Sequence, residues 1–448
     1  MNSAELLAPA GTLKHLEYAL AFGADAVYAG MPRYSLRVRN NDFSKIESLQ
    51  QGIEKTHQLN KLFFLACNVI PHNAKIKTFI EDMTPIVALK PDALIMADPG
   101  LIMMVREMWP EVPIHLSVQA NTMNYASVKF WESVGIKRII LSRELSLDQV
   151  EEIRQLCPDI ELEVFVHGAL CMAYSGRCLL SGYMNHRDAN QGSCTNACRW
   201  EYKVHNDDKK IKTTIEEKSV VVEESCCSNT TGNQSSSINP AYKSYFLEES
   251  NRPGELMPIE EDENGTYIMN SKDLRAVEHV ERLLKIGINC LKIEGRTKSH
   301  YYVARSTQAY RKAIDDATNK KPFDPSLISG LENLANRGYT SGFFERHPDQ
   351  DYQNYLRGYS KSDQQIFVGE LLEWDLESKM AFVEVKNKFS IGDELELISP
   401  SGNQRFTLNA IENEEGEAIE VAPGSGHRVK FKLEKCDSKF ALFTRQLT

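Results

Sequence analysis

The sequence predicts an α/β protein, with a TIM-barrel-like N-terminal domain, an inserted polar loop and a small C-terminal β-barrel domain. Three observations lead to this fold class. Apolar strand-like runs alternate with amphipathic helical segments up to Gly168, which is the pattern of βα units. A polar, low-complexity stretch interrupts that pattern over residues 205–250. From Gln365 onward, short alternating runs are separated by Gly and Pro, as in antiparallel β structure.

The predicted barrel strands are apolar runs rich in β-branched and aromatic residues. In chain order they are ELLAP, DAVYAG, KLFFLACNVI, DALIMAD, PIHLSVQ, KRIILSR and ELEVFVHG. TYIMN and NCLKIEG are further candidates, and one of them is enough to bring the seven runs to the eight strands of a TIM barrel. Such a barrel carries its reactive residues just beyond the carboxyl ends of its strands.

The helices between these strands have recognisable boundary signals. Thr12 is a predicted N-cap, Ser146 with Gln149 is a predicted capping box, and Cys157 ends the helix that follows. The predicted domains are the first part of the barrel at 1–204, a polar and partly mobile insertion at 205–250, the last βα units and the following helices at 251–345, and the C-terminal β-barrel at 365–448.

Composition and charge limit the classes of function. The 448 residues carry a formal net charge of −10, which by itself does not indicate a nucleic-acid binder, although an acidic protein can present a basic face. The N-terminal sequence MNSAELLAPAG has no basic segment followed by an apolar one, and no apolar run is long enough to span a membrane. We therefore expect a cytoplasmic protein without membrane contact and without structural disulfides.

One segment, Gly168–Trp200, contains four of the ten cysteines. Four thiolates at one site are the ligands of either structural zinc or an iron–sulfur cluster. Only the last two have a spacing close to that of a zinc knuckle, so the irregular gaps favour a cluster, with zinc as the alternative. The predicted metal ligands are Cys171, Cys178, Cys194 and Cys198.

The same segment resembles a known family. Glu163, Phe165 and the run GALC ending at Cys171, followed by GRCLLS, match the signature of the collagenase-like proteins classed as peptidase family U32. The resemblance covers nearly the whole chain apart from roughly residues 205–250. It extends through the blocks PRYSLRVRNNDF, ALIMADPGLIM, HLSVQAN, LSRELSL, GSCTNACRWEY, YIMNSKDLRA and LKIEGRTKS.

These blocks are most similar to the branch of the family that modifies tRNA. The resemblance implies an oxygen-independent hydroxylase that carries a [4Fe–4S] cluster on the four cysteines. It also implies prephenate as the hydroxyl donor and carbon 5 of the wobble uridine, in the tRNA anticodon loop, as the target. The product would be 5-hydroxyuridine. The C-terminal β-barrel is a candidate for contact with RNA, since small β-barrels often bind it.

Arginines after the second predicted strand are candidate substrate ligands. Arg33, Arg37 and Arg39 follow DAVYAG, and guanidinium groups there can bind carboxylates or phosphates through paired hydrogen bonds. Arg296 and Lys298 follow NCLKIEG in the same way and are also predicted to bind substrate. The structural alternative for all five is a set of local salt bridges.

Three further residues are candidates for catalysis. His115 lies in PIHLSVQ, where alternation places it on the same strand face as Gln119, a predicted substrate ligand. His167 comes directly before the cysteine segment and is a candidate for proton transfer or for a hydrogen bond to a cluster sulfur. Glu294, beside Arg296, is a candidate catalytic carboxylate.

Two residues inside the cysteine segment, Tyr174 and Arg177, are predicted to contact substrate near the cluster. The motifs HExxH and GxSxG are both absent from the sequence, which disfavours a zinc or serine peptidase. The alternatives to a tRNA hydroxylase are therefore a collagenase-like peptidase of another type and a zinc-stabilised RNA-binding scaffold.

Overall fold

The structure is a computed structural model of the chain. It describes residues 3–31, 33–36, 42–170, 202–206, 245–249, 256–259, 261–262, 265–266, 272–334, 336, 338–345, 365–436 and 439–447. Most of the cysteine segment and of the polar insertion lies outside these ranges.

The α-helices of the described ranges surround a barrel of strands. They are α1 Leu13–Ala21, α2 Ile46–Gln58, α3 Asn73–Ile76, α4 Phe79–Val87, α5 Pro99–Met108, α6 Tyr125–Ser133, α7 Leu147–Leu156, α8 Val280–Ile286, α9 His300–Thr318 and α10 Ser326–Glu332. None of them is both long enough and apolar enough to cross a bilayer.

The strands as far as residue 340 are β1 Glu5–Pro9, β2 Ala26–Gly30, β3 Leu62–Cys67, β4 Ala93–Met96, β5 Ile114–Leu116, β6 Arg138–Ile140, β7 Glu161–Ala169, β8 Tyr202–Asn206, β9 Tyr245–Glu249, β10 Leu256–Ile259, β11 Glu261–Asp262, β12 Gly265–Thr266, β13 Asp273–Arg275, β14 Cys290–Ile293 and β15 Tyr339–Thr340.

A closed barrel of parallel strands is the centre of the molecule. Strands β1 to β7 pair in sequence order, and β14 pairs in parallel with both β7 and β1. The TIM-like architecture predicted from the sequence is therefore confirmed, and NCLKIEG supplies its last strand. TYIMN does not: Gly265–Thr266 pairs with β11 outside the barrel, and residues 267–270 lie outside the described ranges.

Most residues of the strands are buried on both faces, because one face fills the lumen and the other packs under the helices. In β3, Phe63, Phe64, Leu65, Ala66 and Cys67 are all buried. The predicted helix ends are also confirmed. The Thr12 hydroxyl accepts from the backbone N–H of His15, Ser146 and Gln149 form the reciprocal capping box, and α7 ends at Cys157.

The C-terminal region is an antiparallel β domain with its own core. Its strands are β16 Gln365–Trp374, β17 Met380–Val385, β18 Phe389–Ser390, β19 Glu394–Ser399, β20 Gly402–Thr407, β21 Ile411–Glu412, β22 Ala418–Ile419, β23 Val421–Ala422, β24 Arg428–Lys432 and β25 Leu442–Gln446. Eight of them form one sheet in the order β20-β19-β25-β16-β17-β24-β21-β22, and β18 pairs with β23. Val368, Val383, Phe431 and Phe443 are among the side chains of its core.

This domain packs on α1 and α9 of the barrel. Glu370 of β16 accepts hydrogen bonds from Lys14 Nζ at 2.6 Å and from Tyr18 OH at 2.9 Å, and its carboxylate lies 3.3 Å from His300 Nε2. The rings of Tyr301 and Phe367 stack with their centroids 4.9 Å apart. The interface therefore combines one buried carboxylate with apolar contacts.

Candidate active site

Polar side chains gather at the carboxyl ends of the barrel strands, where TIM barrels carry their active sites. They follow β2, β3, β5, β6 and β14, and several of them are almost completely buried. We call this region the barrel mouth. Its polar residues are Ser35, Asn68, Ser117, Gln119, Thr122, Ser142, Arg143, Glu294, Arg296 and Lys298.

Arg296 is held at the mouth by contacts from β2 and from the segment that follows it. Its Nη1 donates to Ser35 Oγ at 3.0 Å, and its guanidinium carbon lies 5.6 Å from the centre of the Tyr28 ring. A Cβ atom at Gly30 would lie 2.1 Å from Arg296 Nη1, so the guanidinium occupies the space that a side chain at the end of β2 would fill. The position of Arg296 is thus built into the strand end.

Two further cations lie against aromatic rings of the same part of the lumen. Lys292 Nζ is 4.5 Å from the centre of the Tyr28 ring and 5.3 Å from that of Phe165. The guanidinium carbon of Arg143 is 3.8 Å from the Phe165 ring centre. Such a set of cations over aromatic faces suits an anionic ligand with an apolar body. Arg143 is the last residue of the predicted strand KRIILSR and is not among the candidate substrate ligands predicted from the sequence.

A buried ion-pair network closes the lumen below these groups. Arg138 Nη1 donates to Glu5 at 2.7 Å, and Arg138 also contacts Glu161 at 2.8 Å and Glu163 at 3.5 Å. Glu163 in turn accepts from Lys292 Nζ at 2.8 Å. Because each of these charges has a partner, the loss of one of them would leave another buried charge unpaired. We call this network the ionic floor of the barrel.

His115 lies in the lumen beside this network. Its ring makes an edge contact with Phe64, with centroids 4.6 Å apart. Burial, together with the charges of Arg138 and Lys292, lowers the pKa of His115 well below its usual range. The imidazole is therefore neutral in the free protein, and its catalytic role stays a prediction.

His167 does not share the lumen face of Phe165. A bulge in β7 places Phe165 opposite Lys292 but His167 opposite Ile293. The ring then packs among Tyr302, Tyr310 and Tyr339, which lie outside the barrel, with centroids 5.4–5.6 Å away. Burial lowers the pKa of His167 to about 3. The proton transfer proposed for His167 stays a prediction, and the surrounding tyrosine rings favour a structural role.

Glu294 joins the end of β14 to the end of β7. Its carboxylate accepts from the backbone N–H of Ala169 at 3.4 Å, and its backbone carbonyl accepts from Tyr302 OH at 2.9 Å. Gly168 has a φ of 102°, and a Cβ there would lie 2.6 Å from the Glu294 carbonyl oxygen. Glu294 thus lies where the chain enters the cysteine segment. Lys298 is paired with Asp273 at 3.7 Å.

Gln119 reaches the mouth in a different way from that predicted. Strand β5 ends at Leu116, and residues Val118–Ala120 form a 3₁₀ turn, so strand alternation does not apply at Gln119. The side chain is nevertheless buried at the mouth, where its Oε1 accepts from Ser117 Oγ at 3.3 Å. Ser117 Oγ accepts from Asn68 Nδ2, also at 3.3 Å.

Arg33 is directed toward α4. Its Nη1 donates to Asp82 at 2.7 Å, and the same carboxylate oxygen accepts from Tyr34 OH at 2.5 Å. Arg33 is therefore placed as its structural alternative predicts, and substrate binding by it stays a prediction. Arg37 and Arg39 lie outside the described residues.

The predicted metal ligands cannot be placed in the same way. Cys171, Cys178, Cys194 and Cys198, and with them Tyr174 and Arg177, lie outside the described residues. Within the described ranges, no three His, Cys, Asp or Glu side chains are grouped so as to hold a metal ion. Cys67 and Cys290 are buried, and burial raises the pKa of both thiols, in Cys67 to about 12, as expected of unreactive cysteines.

Comparison with known proteins identifies the family. Residues 11–354 match Peptidase family U32, and residues 363–443 match the Peptidase family U32 C-terminal domain. The protein named tRNA hydroxylation protein P from Escherichia coli K12 is 58% identical to this chain, and the match covers 100% of this chain and 98% of that protein. The protein of the same name from Haemophilus influenzae is 55% identical, over 99% of this chain and 96% of that protein. The tRNA hydroxylation protein P1 of Bacillus subtilis is 32% identical over 96% of this chain and 92% of its own. The chain belongs to peptidase family U32.

Proposed function

We propose that this chain is a tRNA hydroxylase whose active site is the mouth of its barrel. The observation that carries the proposal is the full-length similarity, at 58% identity, to a protein named for tRNA hydroxylation. The barrel mouth supports it, because buried cations, hydroxyls and amides meet there at the carboxyl ends of the strands.

The finer proposal is an oxygen-independent hydroxylation of carbon 5 of the wobble uridine, with prephenate as the hydroxyl donor. Prephenate is a dicarboxylate with a ring, and Arg143, Lys292 and Arg296 surround the Tyr28 and Phe165 rings at the mouth. Guanidinium groups bind carboxylates through paired hydrogen bonds. The charges and rings of these side chains match the carboxylates and the ring of the donor.

An iron–sulfur cluster on Cys171, Cys178, Cys194 and Cys198 completes the proposal. Four thiolates are the usual ligand set of a [4Fe–4S] cluster. A bound cluster would supply electron transfer or a Lewis-acidic iron. The first of these cysteines follows Ala169 by two residues in the sequence, and Ala169 ends β7 at the barrel mouth. That short separation favours a cluster close to the proposed donor site.

Reconstitution tests the proposal. Anaerobically purified chain is incubated with tRNA from cells that lack the gene, with and without prephenate, and nucleosides are analysed by mass spectrometry. We expect prephenate-dependent uridine carrying one additional oxygen, absent in the Cys171→Ala variant. Iron and sulfide are assayed on the same samples. Protein that contains both and yields no product in the presence of prephenate would contradict the proposed reaction, and protein that contains only zinc would contradict the cluster.

A further inference from the structure

One corner of the barrel mouth holds buried polar side chains without a protein partner. Gln119 Nε2, Thr122 Oγ1 and Ser142 Oγ make no hydrogen bond, although their residues are only 1%, 1% and 4% exposed. Buried polar groups are nearly always hydrogen-bonded, because an unpaired one keeps the cost of its lost hydration. Three such groups at neighbouring positions indicate a ligand.

The local backbone brings these three residues together. After the 3₁₀ turn that contains Gln119, Asn121 adopts a left-handed conformation with a φ of 50°. The chain then returns so that the Thr122 carbonyl accepts from the Ser142 N–H at 3.2 Å. Ser142 lies two residues beyond the end of β6. By strand alternation it lies on the same face as Arg138. The corner is therefore formed by the ends of β5 and β6.

The Gln119 carboxamide has a fixed orientation. Its Oε1 accepts from Ser117 Oγ, which in turn accepts from Asn68, so its Nε2 is the group left to bind a ligand. An amide N–H can only donate, whereas each hydroxyl can donate or accept. The corner thus offers one hydrogen-bond donor, Gln119 Nε2, and two hydroxyls, of Thr122 and Ser142, that can each donate or accept.

This set of groups is neutral. The imidazole of His115 below it is uncharged, because burial lowers its pKa. The guanidinium of Arg143, which follows Ser142, lies over the Phe165 ring of β7. Arg296, Lys298 and Glu294 follow β14, which is three strands from β5 around the barrel. Neutral donors and acceptors suit a planar heterocycle with carbonyl and N–H groups in its plane, whereas phosphates and carboxylates are better bound by the cations.

We propose that Gln119, Thr122 and Ser142 bind the uracil base of the target nucleotide and determine which base is modified. This inference rests on the proposed tRNA hydroxylation. Gln119 Nε2 donates to a uracil carbonyl, and the two hydroxyls bind the remaining polar atoms of the base. Enzymes that act on a base take it out of its stack into such a pocket. Because the protein groups are already desolvated, a base with the wrong pattern leaves them unpaired.

The experiment compares Gln119→Leu, Thr122→Val and Ser142→Ala in the holoenzyme. We expect kcat/KM for uridine-containing tRNA to fall about tenfold or more in each variant. The Kd for tRNA should change by less than about twofold, because phosphate contacts dominate RNA affinity. The Tm of Thr122→Val and Ser142→Ala should stay level or rise, since the removed hydroxyls have no protein partner, whereas Gln119→Leu also removes the acceptor of Ser117 Oγ and should lower the Tm slightly. A merely structural role of the two hydroxyls would lower the Tm of Thr122→Val and Ser142→Ala together with activity.

Base selectivity gives a second readout. Gln119→Glu replaces the amide donor by an acceptor, and a carboxylate accepts well from the amino group of cytosine. The turnover of tRNA with cytidine at the target position, relative to uridine, is therefore expected to rise. Thr307→Val is the matched control, because Thr307 on α9 is also buried with an unpartnered hydroxyl but lies outside the mouth. It should leave kcat/KM unchanged.

The outcomes separate this inference from the proposed function. If the wild-type holoenzyme does not hydroxylate tRNA, both the proposed function and this inference are wrong. If the wild type is active and all four variants keep its kcat/KM and its base selectivity, the three groups bind only water and the inference alone is overturned. Loss of activity with a lowered Tm and unchanged selectivity also overturns it.

Discussion

The contacts of individual arginines at the barrel mouth decide which of them are available to a substrate. Arg33 and Arg296 both follow the end of a strand, and the sequence alone treats them alike. Arg33 forms an exposed ion pair with Asp82, whereas Arg296 is 8% exposed and is held by Ser35 beside Tyr28. The difference arises from a long-range contact between the ends of β14 and β2, which sequence pattern does not reveal.

A pair of conservative substitutions tests this difference. Arg296→Lys removes the planar fork that binds a carboxylate through two bonds, so we expect the KM for prephenate to rise about tenfold or more. Arg33→Lys keeps a cation beside Asp82 and should change that KM by less than about twofold. Steady-state kinetics with prephenate as the varied substrate measures both. An equal rise of the KM for prephenate in the two variants would show that Arg33 also binds the donor. No rise in either variant would contradict donor binding by Arg296.

The buried His167 makes a testable contribution to acid stability. Its pKa is lowered by burial to about 3 in the folded protein, from an ordinary value near 6.5, so the unfolded chain binds the extra proton first. Stability is therefore lost as the pH falls from about 6.5 toward 3, by up to about tenfold in the unfolding equilibrium constant per pH unit. His167→Phe should remove this component.

Denaturant unfolding at several pH values measures the effect in wild type and variant. The His167→Phe variant should show a shallower loss of stability over this window, while the pH dependence of kcat/KM between pH 6 and 8 keeps the shape of the wild type. A pH–rate limb that disappears with the substitution would instead support the proton-transfer role.

The strands and helices were largely predictable, and the exceptions have physical causes. Alternation and apolar runs located the barrel strands, and side-chain caps located α1 and α7. Strand β5 was predicted to reach Gln119 but ends at Leu116, because Asn121 in a left-handed conformation turns the chain back toward β6. The bulge that turns His167 out of the lumen depends on pairing with β14, which is distant in sequence.

The buried ion-pair network in the lumen predicts that the stability of the barrel depends on Glu163. Glu163, which is fully buried, accepts from Lys292 and also contacts Arg138. Glu163→Gln leaves the buried Lys292 without its counter-charge, and we expect a loss of about 3–5 kcal/mol in the free energy of unfolding. Glu281→Gln is the matched control, since its pair with Lys285 on α8 is exposed and is worth about 1 kcal/mol or less. Urea unfolding measures both. A stability of Glu163→Gln equal to that of the control would contradict an ionic floor.

At the scale of the whole molecule, the buried Glu370 carboxylate is one of the groups that join the C-terminal domain to the barrel. Burial alone raises the pKa of Glu370, but hydrogen bonds and charges from His300 and Lys14 lower it to about 2, well below an ordinary value near 4.5. Since the folded pKa is the lower one, this contribution is complete above about pH 4.5 and is lost as the pH falls toward 2.

Glu370→Gln should therefore lower the Tm at pH 7, and the difference from wild type should shrink as the pH falls from about 4.5 toward 2. Glu414→Gln is the control, because Glu414 pairs with Arg428 at 3.4 Å in the same domain and both side chains are exposed. Thermal unfolding across this pH range tests the prediction. A difference in Tm between Glu370→Gln and wild type that stays constant with pH would mean that the charge of Glu370 does not stabilise the contact between the two domains.

The pairing of β7 with β14 also bears on how the chain folds as it is made. These two strands are neighbours in the barrel, yet residues 170–289 lie between them in the sequence. Until the ribosome has released the chain beyond Ile293, β1 and β7 remain as two unpaired edges. The cysteine segment therefore leaves the ribosome before the barrel can close. The four cysteines of the proposed cluster are therefore synthesised while the mouth of the barrel is still open on one side.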